Sequence, residues 1–329
     1  MAEQFKDQGG AASMDPSPFY RWVTSRVVRR ICSPKRQNRQ RRRLEKARLK
    51  AGDRHVVEYF HQVEDGYSHL AAQALIALTE RYDIELRCHL VAGPSGDNSV
   101  EPELLIKLSQ YDASFIAPHY GLEAPGANVL PDRKAIELAE SILTASILQA
   151  QASADFAALA TAVGTALWSG DQATLNILAE QHGCVPAQQR QDCLALGNAR
   201  RAKLKHYSGA MFYYGGEWYW GADRLYLLEQ RLAALGADRY SERDLIAPRP
   251  SITLPQKRNN KAFTLELYAS LRSPYTAVVF DRAVAFAQDA GITLELRPVL
   301  PMVMRGVPAT RAKGMYIFMD AAREASNAG

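Results

Sequence analysis

The sequence predicts a mixed α/β fold, and three observations support this prediction. Strand-like runs rich in valine and aromatic residues alternate with segments whose apolar residues recur at helical spacing. These elements follow one another as β-α-β, a long helical stretch and β-β-α. The first of these patterns then returns near the end of the chain, after a proline-rich segment. The 329 residues are enough for about two domains.

The β-α-β unit begins with the run His55–His61, which is dominated by apolar and aromatic residues. The cluster Asp65-Gly66-Tyr67-Ser68 follows and is typical of a turn into a helix. Asp65 or Ser68 can accept hydrogen bonds from the free backbone N–H groups of the first helical turn. The periodicity then predicts a helix over 67–82 and a second strand over 84–91.

A mostly helical stretch over 131–207 separates this unit from two short aromatic strands, 210–214 and 217–220. The pair Gly215-Gly216 between these strands predicts a tight hairpin, and a helix over 223–235 closes the unit. The complete order is β-α-β, helical insertion and β-β-α. This order describes a thioredoxin-like sheet with a helical insertion.

The β-α-β pattern recurs 208 residues later. Residues 56–91 align with 264–299 without a gap, with six identities in 36 positions and the same order of strand, turn, helix and strand. The segment between the copies holds three prolines and no helical period, which indicates a linker. The sequence therefore predicts a basic tail, a complete domain, a linker and a partial second domain, at 1–54, 55–246, 247–262 and 263–329.

The second of the two tandem copies is truncated. Nothing after its last predicted helix, 310–325, corresponds to the hairpin and closing helix of the first copy. Missing strands leave an unpaired sheet edge and an uncovered apolar face. Either the given chain is a fragment that stops at Gly329, or another polypeptide completes the sheet. We expect a fragment.

Composition excludes several classes of protein. Apolar residues make up 47% and charged residues 23% of the chain, which is the balance of a globular protein and not of a disordered or collagen-like one. No apolar run reaches the roughly 18 residues that a transmembrane helix needs. The four cysteines form no C-x-x-C pair, so neither a dithiol redox motif nor a metal site is predicted. Without an export signal, we expect a cytoplasmic protein.

The net charge of +5 is unevenly distributed. Between Arg21 and Arg54 there are fourteen Lys and Arg residues against two acidic ones, a local balance of +12 that leaves the remainder of the chain at −7. Apolar residues in 17–31 recur at spacings of three and four, which predicts an amphipathic helix. Four roles for residues 21–54 are open: packing on the acidic body, binding an anionic membrane surface, binding nucleic acid, or binding a partner protein.

Short motifs in both copies resemble one enzyme family. The second copy carries three of them: Ser273-Pro274-Tyr275, Arg297-Pro298-Val299, and Lys313 with Tyr316 and Asp320. The first copy carries ALWSGD at 166–171 and GEWYWGADRL at 216–225. Together these motifs resemble 2-hydroxychromene-2-carboxylate isomerase and kappa-class glutathione transferases, which belong to the DsbA-like branch of the thioredoxin superfamily.

The resemblance implies glutathione as the cofactor and Ser273 as the catalytic residue that stabilises its thiolate, with Pro274 and Tyr275 beside it. The chemistry is reasonable, because the N-terminus of a helix favours negative charge and a hydroxyl there can donate to a thiolate. The alternative is that Ser273 only caps the helix, with Pro274 in its first position, which is a favoured arrangement in any protein.

Four further residues are expected to bind glutathione or substrate. Asp223 matches the family position that contacts the γ-glutamyl end of glutathione, and a helix cap or an ion pair with Arg224 is the alternative. Lys313, Tyr316 and Asp320 are at i, i+3 and i+7 and share one helix face. That face would line a substrate cleft. The alternative is that it is exposed to solvent or forms ion pairs.

The first copy departs from the family pattern. Asp65 and Gly66 stand where the family has serine and proline, and a carboxylate repels a thiolate. Ala210 stands where a cis-proline is usual, before the third strand. We therefore expect the first copy to be inactive in glutathione chemistry. Asp65, His61 and His69 could form an acid–base cluster, although a capped helix with a surface histidine explains them more simply.

Two functions from different classes follow. The first is a glutathione-dependent isomerase or transferase that acts on a small aromatic or unsaturated substrate by thiolate addition, bond rotation and thiolate release. The second is a non-catalytic tandem module, whose degenerate first copy acts in binding or regulation. A thiol–disulfide oxidoreductase is disfavoured by the lack of a C-x-x-C pair. The substrate and the oligomeric state are open, a homo-oligomer included.

Overall fold

The computed structural model describes residues 17–99, 101–126, 130–149, 153–251, 262–305, 307 and 310–328. The chain forms two compact units. Unit 1 comprises Met1–Arg39, Gly96–Val100 and Ser251–Gly329, and unit 2 comprises Gln40–Ser95 and Glu101–Pro250. The predicted basic tail is therefore divided between the units at residue 39. Most of the predicted linker, 252–261, lies outside the described residues.

Unit 2 is built on a four-stranded sheet with the order β2-β1-β3-β4. Its strands are β1 (His55–His61), β2 (Ile84–Leu90), β3 (Met211–Tyr214) and β4 (Glu217–Trp220). β1 is parallel to β2 and antiparallel to β3, and β3 is antiparallel to β4. This arrangement is the mixed α/β, thioredoxin-like sheet that the order of elements predicts.

The β3–β4 hairpin shows how local sequence determines part of this sheet. Gly215 and Gly216 have φ angles of 51° and 85°. Two consecutive positive φ values suit the tight turns that match the twist of a hairpin, and glycine adopts them without steric cost. The turn places Phe212 opposite Tyr219, and both side chains are buried in the core.

The described residues of unit 2 also form eight helices. They are α3 (Gly66–Gln73), α4 (Leu75–Arg81), α5 (Pro102–Ile116), α6 (Arg133–Leu148), α7 (Ser153–Ser169), α8 (Gln172–His182), α9 (Ala187–Lys203) and α10 (Leu225–Ala234). The predicted helical stretch 131–207 is confirmed as four helices. The single helix predicted over 67–82 is instead two, because α3 ends at Ala74, whose N–H bonds back to the Ala71 and Ala72 carbonyls.

The core of unit 2 lies where the sheet meets the helical insertion. β1 is buried along almost its whole length, as expected for a strand that is covered on both faces. α6 and α7 pack on each other and on β2, and α9 also packs on β2. The approach of α9 to the sheet is close, since a Cβ atom on Gly197 would lie 1.9 Å from the Leu90 carbonyl oxygen. Gly197 is therefore required for this packing.

Unit 1 contains a second β-α-β element, in which β5 (Thr264–Ala269) is parallel to β6 (Thr293–Pro298) and α11 (Pro274–Ala290) connects them. α12 (Arg311–Ala328) packs on α11. The strand, helix and strand predicted over 264–299 are therefore present. Several large apolar side chains of this part are exposed, up to 91% for Leu271 in the loop after β5.

Among the residues described before β1, there are two helices. α1 (Pro18–Ile31) begins after the cap Ser17, as its apolar spacing predicts, and belongs to unit 1. α2 (Pro34–Ala51) begins at Pro34, after α1 has ended at Ile31, and the boundary between the units falls within α2. No helix in the described ranges combines the length and hydropathy that are needed to cross a membrane.

Candidate functional site

In unit 2, the turn between β1 and α3 carries Asp65 at the position where the family resemblance expects the reactive group. Asp65 caps α3. Its Oδ2 accepts hydrogen bonds from the Ser68 backbone N–H at 3.0 Å and from the Ser68 hydroxyl at 2.9 Å, and its Oδ1 accepts one from the Tyr67 N–H at 3.4 Å. The predicted cap is present, and its carboxylate is buried and engaged by the first turn of the helix.

Tyr59 connects this cap to β1. The Tyr59 hydroxyl donates to the Ser68 backbone carbonyl at 3.0 Å, so it accepts the hydrogen bond that joins it to His61 Nδ1, also 3.0 Å away. This geometry assigns the ring proton of His61 to Nδ1. Burial lowers the pKa of His61 to about 3. The ring is therefore neutral near pH 7, and it supports the cap as a hydrogen-bond donor.

Helix α5 covers the N-terminus of α3. A Cβ atom on Gly66 would lie 2.7 Å from the Ser109 carbonyl oxygen and 3.2 Å from Ala113 Cβ. The Tyr67 hydroxyl also donates to Asp112 Oδ2 at 2.7 Å. An open helix N-terminus can bind an anion through its backbone N–H groups. Here α5 lies where such an anion would have to approach.

The loop before β3 closes a second side of the same cap. A Cβ atom on Gly209 would lie 2.5 Å from Gln62 Cβ and 3.3 Å from Ser68 Oγ. Ala210 has a φ of 53°, and its carbonyl accepts a hydrogen bond from the Gly221 N–H at 2.7 Å. A non-glycine residue in this left-handed region costs about 1 kcal/mol. The loop therefore packs on the cap and does not present the extended backbone that a docked peptide needs.

The prediction of a surface histidine at position 69 is wrong. His69 is only 2% exposed, and it lies against α7 at Gly164, where an added Cβ would be 2.5 Å from His69 Nδ1. Burial lowers the pKa of His69 to about 4. Asp65, His61 and His69 are thus all buried, and the two rings are neutral near pH 7. This favours the capping interpretation over an acid–base site.

Two of the capping aspartates of unit 2, Asp65 and Asp171, lead to a pH prediction. Burial raises the pKa of Asp65 to about 6, although its bonds to Ser68 and Tyr67 oppose this shift. Between about pH 4 and 6, Asp65 is then protonated in the folded state and ionised in the unfolded state. The free energy of unfolding therefore falls as the pH rises through this window. We expect Asp65→Asn to gain stability relative to the wild type over that window, by about 2 kcal/mol at pH 7.

Asp171, the cap of α8, is the matched control. Its exposed carboxylate accepts hydrogen bonds from the Thr174 hydroxyl and backbone, which hold its pKa below the usual value. Asp171→Asn should therefore lose stability at pH 7, and this loss should shrink as the pH falls below about 4. Urea unfolding at several pH values measures both variants. If both variants gained stability at pH 7, or both lost it, the opposite pKa shifts assigned to Asp65 and Asp171 would be contradicted.

In unit 1, Ser273 occupies the corresponding place between β5 and α11. It is the N-cap of α11, with Pro274 in the first helical position, and its Oγ accepts a hydrogen bond from the Thr276 N–H at 3.4 Å. Ser273 is half-buried, and the first turn of α11 holds no acidic residue. The capping alternative is thus realised, and the proposed thiolate role stays a prediction.

Tyr275 and Asp320 are brought together in unit 1. The Tyr275 hydroxyl donates to Asp320 Oδ2 at 2.8 Å, and Arg323 donates to Asp320 Oδ1 at 3.1 Å. Asp320 is only 1% exposed, and Tyr316 is also buried. Lys313 is half-buried, and this burial lowers its pKa. The shared face of α12 is therefore partly internal and Asp320 holds Tyr275, while the substrate-binding role of Lys313, Tyr316 and Asp320 stays a prediction.

Asp223 lies in unit 2, in a short 3₁₀ turn that precedes α10. Its Oδ2 accepts a hydrogen bond from Arg224 at 2.7 Å, so the ion-pair alternative is realised. Ser273 and Asp223 belong to different units. The role of Asp223 in binding glutathione stays a prediction.

Sequence reasoning did not single out the charged group at Glu58. This buried residue of β1 accepts two hydrogen bonds from Arg200, at 2.6 and 2.7 Å, and one from His89 at 3.0 Å. A glutamate within an apolar strand was the available signal, because a buried carboxylate needs a partner. In the described ranges no group of His, Cys, Asp or Glu side chains is arranged to hold a metal ion.

Comparison with known proteins adds little to this geometry. No family model matches the chain, and no curated protein matches it. Among solved structures, the chain is similar to 2-hydroxychromene-2-carboxylate isomerase with a TM-score of 0.42 and 18% identity. The match covers 57% of this chain and 100% of the isomerase. This likeness is too low to establish fold or function, and the assignment of a thioredoxin-like sheet depends on the strand order of unit 2.

Proposed function

We propose that the chain is a glutathione-dependent isomerase or transferase of the 2-hydroxychromene-2-carboxylate isomerase type, and that its chemistry takes place at Ser273. The observation that supports this proposal is the placement of Ser273 at the N-terminus of the 17-residue helix α11, in the short loop that follows β5, with its side chain half-buried. The matching position of unit 2 is a buried carboxylate beneath α5. Glutathione chemistry is therefore proposed for unit 1.

The Ser273 hydroxyl is able to stabilise a thiolate by donating a hydrogen bond to it. Its oxygen accepts from the Thr276 N–H, which leaves the hydroxyl proton free to donate to a sulfur anion. The dipole of α11 and the lack of an acidic residue in its first turn also favour a negative charge there. Both effects lower the pKa of a bound glutathione thiol. Glutathione would thus be held in its nucleophilic form.

The reaction then follows from thiolate chemistry. The sulfur adds to the carbon β to a carbonyl group, so that a C–S bond forms and the electron pair of the C=C bond moves to the carbonyl oxygen. The former double bond is now single and rotates. Return of the electron pair expels the thiolate and restores the double bond in its other geometry, so no net oxidation occurs. Tyr275, held by Asp320, would help to position the substrate.

Calorimetric titration of glutathione into wild type and Ser273→Ala tests this proposal. A hydrogen bond to a charged group contributes about 1.5–3 kcal/mol, so we expect roughly tenfold to hundredfold weaker binding in the variant. The thiolate absorbance of bound glutathione should also titrate at a higher pH. Ser326→Ala is the control, because Ser326 is an exposed serine of α12 that bonds only to the Ala322 carbonyl among the contacts described. Equal binding by wild type and Ser273→Ala would contradict the proposal.

A second function, a non-catalytic binding or regulatory module, is favoured by a different observation. Both α5 and the loop at Gly209 close the cap at Asp65, so unit 2 resembles a thioredoxin-like scaffold without an open reactive position. Burial also raises the pKa of the Cys88 and Cys193 thiols, which disfavours thiol–disulfide exchange. A folded wild-type chain that binds no glutathione would support this second function.

A further inference from the structure

The turn between α1 and α2 carries a dense cluster of positive charge in unit 1. A cavity of about 900 Å³ is lined there by Ser33 and six cationic residues: Arg26, Arg29, Arg30, Lys35, Arg36 and Arg39. We call these six residues the basic surface. All six are exposed, and the sequence holds no acidic residue between positions 17 and 44. Within the described part of the chain, none of the six pairs with a carboxylate.

This basic surface is held in place by contacts within unit 1. The Cys32 thiol donates to the Phe318 carbonyl of α12 over 3.6 Å, and Gln37 Nε2 lies 4.0 Å from Met319 Sδ. α2 begins at Pro34, so its positive N-terminal end also lies at the cavity. The charges are therefore presented by an anchored turn, and they attract an anion that has several phosphate groups within reach.

Exposed aromatic residues continue the basic surface along α1. Phe19 is 74% and Trp22 is 53% exposed, and Tyr20 and Val27 are also exposed. α1 buries none of its side chains. Phe19 and Trp22 are at positions i and i+3 of the helix. The three arginines Arg26, Arg29 and Arg30 follow at i+7, i+10 and i+11, so all five residues lie on one face. An apolar and a cationic surface thus adjoin each other.

We infer that this face of unit 1 binds the surface of membranes that contain anionic phospholipids. Arginine and lysine side chains near a membrane attract the phosphates of acidic headgroups, and each of them adds to the affinity. Tryptophan and phenylalanine insert at the boundary between headgroups and acyl chains. The helix would lie in the plane of the interface, with Phe19 and Trp22 inserted and the basic surface on the headgroups.

The geometry favours a membrane over nucleic acid as the partner. Single-stranded nucleic acid needs free aromatic faces on which its bases can stack. Trp22 is stacked with Phe19, with ring centroids 6.2 Å apart, and the Arg26 guanidinium lies 4.2 Å from the Trp22 ring centre. Phe19 and Arg26 approach Trp22 from positions i−3 and i+4. The Arg26 guanidinium therefore covers one face of Trp22, while the residue is still 53% exposed and available for insertion into lipid.

The later part of the basic tail contributes less to this surface. In unit 2, Arg41 pairs with Glu217 at 2.7 Å and Arg48 pairs with Glu45 at 2.6 Å. These charges are partly neutralised within their own unit, by Glu217 of β4 for Arg41 and within α2 for Arg48. The membrane surface is therefore assigned to residues 19–39.

Sedimentation with vesicles tests the inference on the full chain. The vesicles are phosphatidylcholine alone, or phosphatidylcholine with about one third phosphatidylserine. We expect binding to the second kind, weakened by salt and weakened about tenfold or more by the double reversal Arg30→Glu with Arg36→Glu. Phe19→Ala with Trp22→Ala should weaken binding by about the same factor at high salt. Neither pair is buried, so circular dichroism should show folded variants.

Two controls decide between the outcomes. Lys107→Glu with Lys134→Glu changes the net charge equally at exposed sites of unit 2, and it should leave vesicle binding unchanged. Fluorescence anisotropy with labelled single-stranded and duplex RNA tests the other partner. The inference is overturned if RNA binds and the anionic vesicles do not. It is also overturned if the aromatic pair has no effect, or if both charge-reversal pairs weaken binding equally.

Discussion

Replacing Gly197 with alanine is expected to lower the free energy of unfolding of unit 2 by about 3 kcal/mol. The added Cβ would lie 1.9 Å from the Leu90 carbonyl oxygen and 3.0 Å from its carbonyl carbon. Both atoms belong to the backbone of a central part of the fold, so no flexible side chain can move aside. α9 must therefore shift away from β2, and the packing between the insertion and the sheet loosens.

Urea or thermal unfolding, followed by circular dichroism, measures this effect. For a unit of this size we expect the melting temperature to fall by about 6 to 12 °C. Leu196→Ala is the control, because the neighbouring Leu196 lies on the same helix but is 73% exposed, and its loss should change stability little. A Gly197→Ala variant as stable as the wild type would show that α9 and β2 are not in such close contact.

Glu58→Gln is expected to lower the free energy of unfolding by about 2–3 kcal/mol at pH 7. Burial alone would raise the pKa of Glu58, but the hydrogen bonds and charges of Arg200 and His89 outweigh it and lower the pKa to about 2. The glutamine side chain is neutral and has only one oxygen, so it cannot replace the two carboxylate oxygens to which Arg200 donates. Removing one partner of a buried ion pair leaves the other without compensation.

The pH dependence of this loss has a definite sign. Because the pKa of Glu58 is lower in the folded state, its contribution is complete above about pH 4.5 and is lost as the pH falls towards 2. The difference between wild type and Glu58→Gln should therefore be largest at pH 7 and shrink in acid. Glu180→Gln, at an exposed position of α8, should show no such difference. A Glu58→Gln deficit that stays constant down to pH 2 would contradict the assigned ion pair.

Elements with a strong local signal agree with their prediction. β1 covers His55–His61 and β4 covers Glu217–Trp220, the bounds that their composition predicts. The Gly215-Gly216 turn and the cap Asp65 also form as expected, and Ser273 caps α11, which is the alternative given for it. Each of these features depends on backbone preferences and hydrogen bonds within a few residues, so the amino-acid order alone is informative.

Elements that depend on distant contacts were missed. α5 was not predicted, and its cover over Gly66 joins residues more than forty positions apart. His69 is buried and not at the surface because it packs against α7, which its neighbours in sequence do not reveal. The pairing of Glu58 with Arg200 spans 142 positions. Periodicity reports which face of an element is apolar, but it does not identify what covers that face.

The sequence by itself determined the α/β class, the order of elements, the hairpin, the helix caps and the basic, aromatic character of residues 19–39. Only the tertiary structure decided that the cap at Asp65 is closed and that Ser273 is half-buried. It also decided that six cations line one cavity at the α1–α2 turn. The physical reason is that capping and turn formation are local, whereas access to a site is determined by whichever distant segment packs over it.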